Sequence, residues 1–131
     1  NDDRCVVLRN EIELKQEMVL EFYEQVFNRW DLSSLDAFMR DDYIQHSPEV
    51  GDGKQGFLKF ILAYPTEAYA EIIKVLEDDD LVCVFFRCTM GNGTIVKVFD
   101  LYRLENGMLA EHWDCTMDIA TIPVQNRNGH F

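Results

Sequence analysis

Apolar and polar positions alternate in two regimes along the chain. From Val6 to Asn28 the apolar residues Leu8, Ile12, Val19, Phe22, Tyr23, Val26 and Phe27, with Trp30 just beyond, follow helical spacing. Glu11, Glu13, Lys15, Gln16, Glu17, Glu21 and Glu24 supply the wet face. The spacing predicts a long amphipathic helix whose aromatic end (Phe22, Tyr23, Phe27, Trp30) is either core or pocket wall. Asp31 to Met39 reads as a second, short helix, with Ser33 or Ser34 as its N-cap and Asp41-Asp42 at its end. Tyr43–His46 is a short extended piece before the loop around Ser47-Pro48 and Gly51-Asp52-Gly53. Lys54 to Tyr64 returns to helical spacing until Pro65 stops it.

From Ala68 the pattern changes to that of strands. Ala68–Glu77, Leu81–Met90, Val96–Leu104 and a last strand ending near Asp118 are separated by Asp78-Asp79-Asp80, Gly91-Asn92-Gly93 and Glu105-Asn106-Gly107. Asn-Gly between two alternating runs is the strongest short-range hairpin signal. Two turns compete there. A two-residue turn pairs Glu105 with Met108 and sets Asp100 opposite Trp113. A three-residue turn with Gly107 as a left-handed bulge residue sets Asp100 opposite His112, and Val98 opposite Asp114. His112 and Asp114 share one face in both cases; only the bulged turn adds Asp100. Three helices and a short strand followed by four long antiparallel strands make an α+β arrangement, with the helices on one face of a curved sheet. Residues 119–131 read as a loose tail, so the chain is a single domain (1–131) with its core at about 6–118.

Composition narrows the function classes. The 131 residues carry a net charge of −12 from 24 acids and 12 bases, which argues against nucleic acid or an anionic membrane as a partner. No apolar run reaches the roughly 20 residues of a membrane span, and no signal peptide is visible, so a cytoplasmic protein is expected. The four cysteines (Cys5, Cys83, Cys88, Cys115) form no C-x-x-C pair and read as reduced packing residues. Motifs for dinucleotide binding, phosphate cradles, serine hydrolases and zinc hydrolases are absent.

What remains is a set of ionisable residues in apolar surroundings. Asp100, His112 and Asp114 interrupt otherwise apolar strands, where charge is costly unless paired or used. Asp114, held between a sheet and aromatic helices, suits a general base or acid beside a carbonyl; on the outer face it would be an ordinary surface carboxylate. His112 either orients Asp114 or is a plain surface histidine. Asp100 is either catalytic or structural. His46 lies where a pocket rim residue or a structural histidine would lie. None of the four has metal-ligand spacing, so no metal is expected.

Tyr43–Phe57 (YIQHSPEVGDGKQGF) together with Val98–Asp114 (VFDLYRLENGMLAEHWD) resembles the SnoaL-like branch of the nuclear-transport-factor-2-like superfamily, and the helix ending FNRWD fits as well. The resemblance spans roughly residues 10–118. It implies a conical barrel: a bent antiparallel sheet wrapped around three N-terminal helices, with an internal pocket and often a homodimer through the outer sheet face. The polyketide cyclases of that family close a ring by aldol condensation without metal or cofactor, using an aspartate at the position of Asp114. The assisting residue at the position of Asp100 is a histidine in those cyclases, so the aspartate here is a departure. Both positions face the cavity only if their parity is even, which favours the bulged turn. The expected catalytic set is therefore Asp114, Asp100, His46 and His112. Tyr23, Trp30, Tyr43, Phe57 and Phe60 are the expected pocket wall for a small to medium hydrophobic carbonyl compound that the protein cyclises or isomerises. The alternative is a non-catalytic module of the same fold that binds a small ligand or dimerises. An interior filled by Phe22, Phe57, Phe60 and Trp113, or an Asp114 facing bulk water, would favour that alternative.

Overall fold

The structure, a computed structural model, describes residues 14–63 and 68–131. The first helix, α1, is α-helical over 14–22 and widens into a π-helix over Tyr23–Asn28. Its expected start at Val6 lies outside the described residues. A 3₁₀ helix follows over Leu32–Ala37, then β1 (Met39–Gln45), α2 (Gly53–Leu62), β2 (Ala68–Asp78), β3 (Leu81–Met90), β4 (Ile95–Glu105) and β5 (Met108–Asp118), with a final 3₁₀ turn at Ile119–Thr121. The stop expected at Pro65 also lies outside the described residues.

The five strands form one sheet in the order β1-β5-β4-β3-β2. The helices pack on one face, and the shared core includes Val19, Phe22, Tyr23 and Val26 of α1, Phe57 and Ile61 of α2, and Val82, Val84, Phe86 and Val98 of the sheet. Fold class and order follow the sequence pattern, with two differences. Met39–Asp42 is strand, not the end of a helix, and the 3₁₀ helix starts from Asp31 with no side-chain cap; Ser33 and Ser34 bond back to Asp31 instead. The reason is non-local: β1 pairs in parallel with β5, Gln45 beside His112, and this pairing claims the backbone that local spacing assigned to a helix. On the far edge, the Asn28 side chain bonds both backbone groups of Ala70, to its oxygen at 3.1 Å and its amide at 2.7 Å, and so covers part of the open edge of β2.

The hairpin turn also differs from expectation. Asn106 (φ 53°) and Gly107 (φ 75°) are both left-handed, and Glu105 pairs with Met108, so this is the two-residue turn. The register then shifts between Arg103 and Leu104: Leu104 pairs with Leu109, Arg103 with Glu111, and Ala110 is the extra residue. Neighbouring strands and loops help hold this bulge, because the Leu109 amide bonds to Phe38 O (2.7 Å) and the Leu104 amide to Asp80 O (2.8 Å). The bulge restores even parity by a different route. Asp100 lies opposite Asp114, and Tyr102 opposite His112.

Candidate functional site

Period-two alternation puts Asp100 and Tyr102 of β4 and His112 and Asp114 of β5 on the helix-facing side of the sheet. Asp100 is 6% exposed and His112 7%, and both are fully engaged. One carboxylate oxygen of Asp100 lies 2.9 Å from His112 Nε2. The other accepts from the Tyr23 hydroxyl (2.5 Å) and the Tyr102 hydroxyl (3.1 Å), and the two hydroxyls lie 2.8 Å apart. Burial, and then the charge of Asp100, push the Tyr23 and Tyr102 phenols well above their ordinary range, so both stay protonated as donors. The imidazole of His112 is flanked by two rings, Tyr102 at 4.8 Å and Tyr43 at 6.2 Å. Its other nitrogen, Nδ1, lies 2.8 Å from Gln45 Oε1.

Asp114 is half-buried, and among the described residues no hydrogen bond or ion pair holds its carboxylate. One ligand atom from each of Asp100, His112 and Asp114 falls within 4.8 Å of the others, a set that could chelate a cation. Within this set, His112 Nε2 and Asp100 Oδ1 also face each other at hydrogen-bond distance. Chemically the arrangement joins an unpartnered carboxylate, suited to accept a proton, to a buried chain of hydroxyl and imidazole donors.

The expected residues do not all meet there. His46 lies on the opposite face of the sheet: its Nε2 is 2.7 Å from Glu111 Oε2, and its ring stacks on Trp113 at 4.8 Å with the two planes nearly parallel. Hydrogen bonds from His46 and Arg103 hold the Glu111 carboxyl below its ordinary range. Of the expected wall, Tyr23 belongs to the hydrogen-bond network, and Tyr43 stacks beside the His112 ring. Phe57 instead packs in the core against Phe22 (6.0 Å) and Phe27 (6.3 Å). Trp30 packs on the core from a left-handed backbone position (φ 56°), and Phe60 is half-buried on α2. Two surface grooves, of about 500 and 360 Å³, are lined by α1 with Ile72 and by β1 with Asp52-Gly53; neither is lined by Asp100, His112 or Asp114. Sequence reasoning missed Tyr102 and Gln45. Tyr102 was within reach, two residues from Asp100 and therefore on its face. Gln45 was not, because only the parallel pairing of β1 with β5 brings it to His112.

A five-stranded curved sheet with helices on one side and a polar cluster on its inner face defines a class of α+β proteins. The sequence profile of the SnoaL-like domain matches residues 19–112, and the chain belongs to that family. No curated protein matches in sequence. Among solved structures, the chain is similar to IdmH from Streptomyces antibioticus, a candidate polyketide cyclase (20% identity, TM-score 0.67, 78% of this chain and 91% of that one). It is also similar to a candidate ketosteroid isomerase from Kribbella flavida (16%, TM-score 0.71, 89% and 84%). An NTF2-like protein of unknown function from Burkholderia pseudomallei is a third (23%, TM-score 0.66, 82% and 94%). At these identities the likeness is one of fold.

Proposed function

We propose that the protein is a cofactor-independent acid/base enzyme acting on a small to medium hydrophobic carbonyl compound, by aldol cyclisation or isomerisation. Asp114 removes a proton next to the carbonyl. The hydroxyl of Tyr23 or Tyr102, turned from Asp100, then donates a hydrogen bond to the developing enolate oxygen, with the Asp100–His112 pair behind it. The observation that carries the reading is the contrast between two aspartates facing each other across one strand pair. Asp100 is saturated with donors, whereas Asp114 has none among the described residues. Two carboxylates in environments this different are suited to opposite roles. His46, on the other face, has no part in this mechanism. The test is turnover on a panel of polyketide-like and terpenoid-like carbonyl compounds, read by mass spectrometry. Asp114→Asn abolishes it if the reading holds; full turnover by that variant overturns it.

A second reading is favoured by the packing of Phe22, which is wholly buried against Phe57, Phe27, Phe38 and Tyr102 and occupies the space beneath the sheet. In that reading the domain binds a small ligand without chemistry, and ligands raise the melting temperature of wild type and Asp114→Asn alike with no product formed. A homodimer in the cytoplasm belongs to the same proposal. Its support is the apolar outer strip of Phe85, Phe99, Leu101 and Trp113, which lie in neighbouring register positions.

A further inference from the structure

Gln45 is an uncharged polar residue on the edge strand β1, and none of the chemistry above requires it. Its side-chain oxygen has two neighbours: the Ser47 backbone amide at 2.9 Å and His112 Nδ1 at 2.8 Å. A backbone amide can only donate, so the atom facing Ser47 is the amide oxygen, and that oxygen cannot donate to Nδ1. Nδ1 must therefore carry a hydrogen. On the other side of the ring, Nε2 faces a carboxylate oxygen of Asp100 at 2.9 Å. Only two proton placements satisfy both contacts. Either His112 is an imidazolium against the Asp100 carboxylate, or a neutral His112 accepts from a protonated Asp100. Both carry one proton more than the ordinary pairing, in which a neutral histidine donates from Nε2 to a carboxylate and leaves Nδ1 bare. The pair is electrically neutral in either placement.

We infer that Gln45 is a positioning residue that loads the Asp100–His112 pair with this additional proton. The consequence concerns Asp114, directly across the strand pair from Asp100. Two carboxylates on one face would repel, and a shared site disfavours ionising both. With Asp100 neutralised through His112, Asp114 is the one uncompensated charge of the three. The additional proton also sits where it can reach a bound oxygen through Asp100 and the tyrosine hydroxyls, with no atom added or lost: a proton moves to the enolate and the pair is left one proton short until Asp114 returns the one it took. This inference rests on the acid/base reading for its purpose. The proton placement itself does not.

The test is the side-chain nitrogen spectrum of the ¹⁵N-labelled full chain near neutral pH. The three histidines are few enough to resolve, and His112→Phe assigns the signals. Wild-type His112 is expected to show a proton-bearing Nδ1. Gln45→Glu, which keeps the acceptor, retains it. Gln45→Met, which keeps the length and removes the acceptor, loses the Nδ1 proton signal and leaves Nε2 as the proton-bearing atom. A bare Nδ1 in wild type overturns the inference, and so does a Gln45→Met spectrum identical to wild type. If Gln45→Met does not fold, Gln45→Leu, which also lacks the acceptor, is read in its place: loss of the Nδ1 proton supports the inference, and its retention overturns it. None of these outcomes depends on turnover, so loss of the enzymatic reading, through an Asp114→Asn variant that keeps full activity, would be recognised separately.

Discussion

Replacing His112 with phenylalanine isolates the polar part of the buried network. The ring slot between Tyr43 and Tyr102 stays filled, but both nitrogens are lost. Asp100, whose side chain is 7% exposed, then keeps only its two tyrosine donors, and a carboxylate oxygen is left with no partner in the core. Removing one member of a buried ion pair costs about 3–5 kcal/mol, a large share of the roughly 5–15 kcal/mol by which domains are stable. Asp100→Asn alone keeps the shape and loses one charged hydrogen-bonding partner, at about 1–3 kcal/mol. If the cost of the first change is the stranded charge, neutralising Asp100 relieves it. The double variant should then be more stable than the sum of the singles predicts by about 2 kcal/mol, within the usual range for groups in contact. Urea denaturation of the four proteins, with equal m-values, measures the cycle. Additivity to within about 0.5 kcal/mol would refute the buried-pair reasoning.

Three further outcomes follow from other parts of the molecule. A Cβ on Gly56 would stand 2.1 Å from the carbonyl oxygen of Gly51 and 2.2 Å from its carbon, both backbone atoms with little room to yield. Gly56→Ala should therefore cost at least the roughly 3 kcal/mol of severe overpacking, seen as a lowered melting temperature; an unchanged melt would contradict the packing of the 47–52 loop on α2. Tyr23, Tyr43 and Tyr102 are pushed up by burial and by nearby aspartates, so native tyrosine absorbance in alkali should show these three ionising only as the protein unfolds. Since each folded value lies above its unfolded one, their contribution to stability is complete below about pH 10 and is lost as pH rises through the folded values. In a Cys5→Ser background, Cys115, which is exposed, should react first with a maleimide at pH 8. Cys88, buried and pushed up to about 11, should react only on unfolding.

The strand half of the fold was legible because its information is local: period-two alternation from Ala68 on, and Asn-Gly at the hairpin. The parity that brings Asp100 and Asp114 to one face was also foreseen, though from the wrong device. The turn is the two-residue form its Asn-Gly sequence favours, and the bulge at Ala110, supported by bonds from Leu109 to Phe38 and from Leu104 to Asp80, makes up the difference. No local pattern encodes those partners. The same limit explains Met39–Asp42, whose strand state depends on β5, and Gln45, whose meeting with His112 depends on the same pairing. His46 was misplaced for a related reason: its neighbours in sequence suggest a rim, while the parallel register turns its ring onto Trp113 on the outer face. Tyr102 needed only the period of two that had already been applied to His112 and Asp114.

The proposed role of Asp114 is to remove a proton beside a carbonyl. The most direct measurement is proton NMR of hydrophobic ketones and 1,3-dicarbonyl compounds in D₂O with catalytic amounts of protein, following loss of the signal from the hydrogens next to the carbonyl. Wild type should accelerate exchange for at least one compound, and Asp114→Asn should lower that acceleration by about 10²–10⁴-fold, the usual contribution of a positioned general base. No acceleration by wild type across the panel, or equal acceleration by Asp114→Asn, would rule out Asp114 as the base.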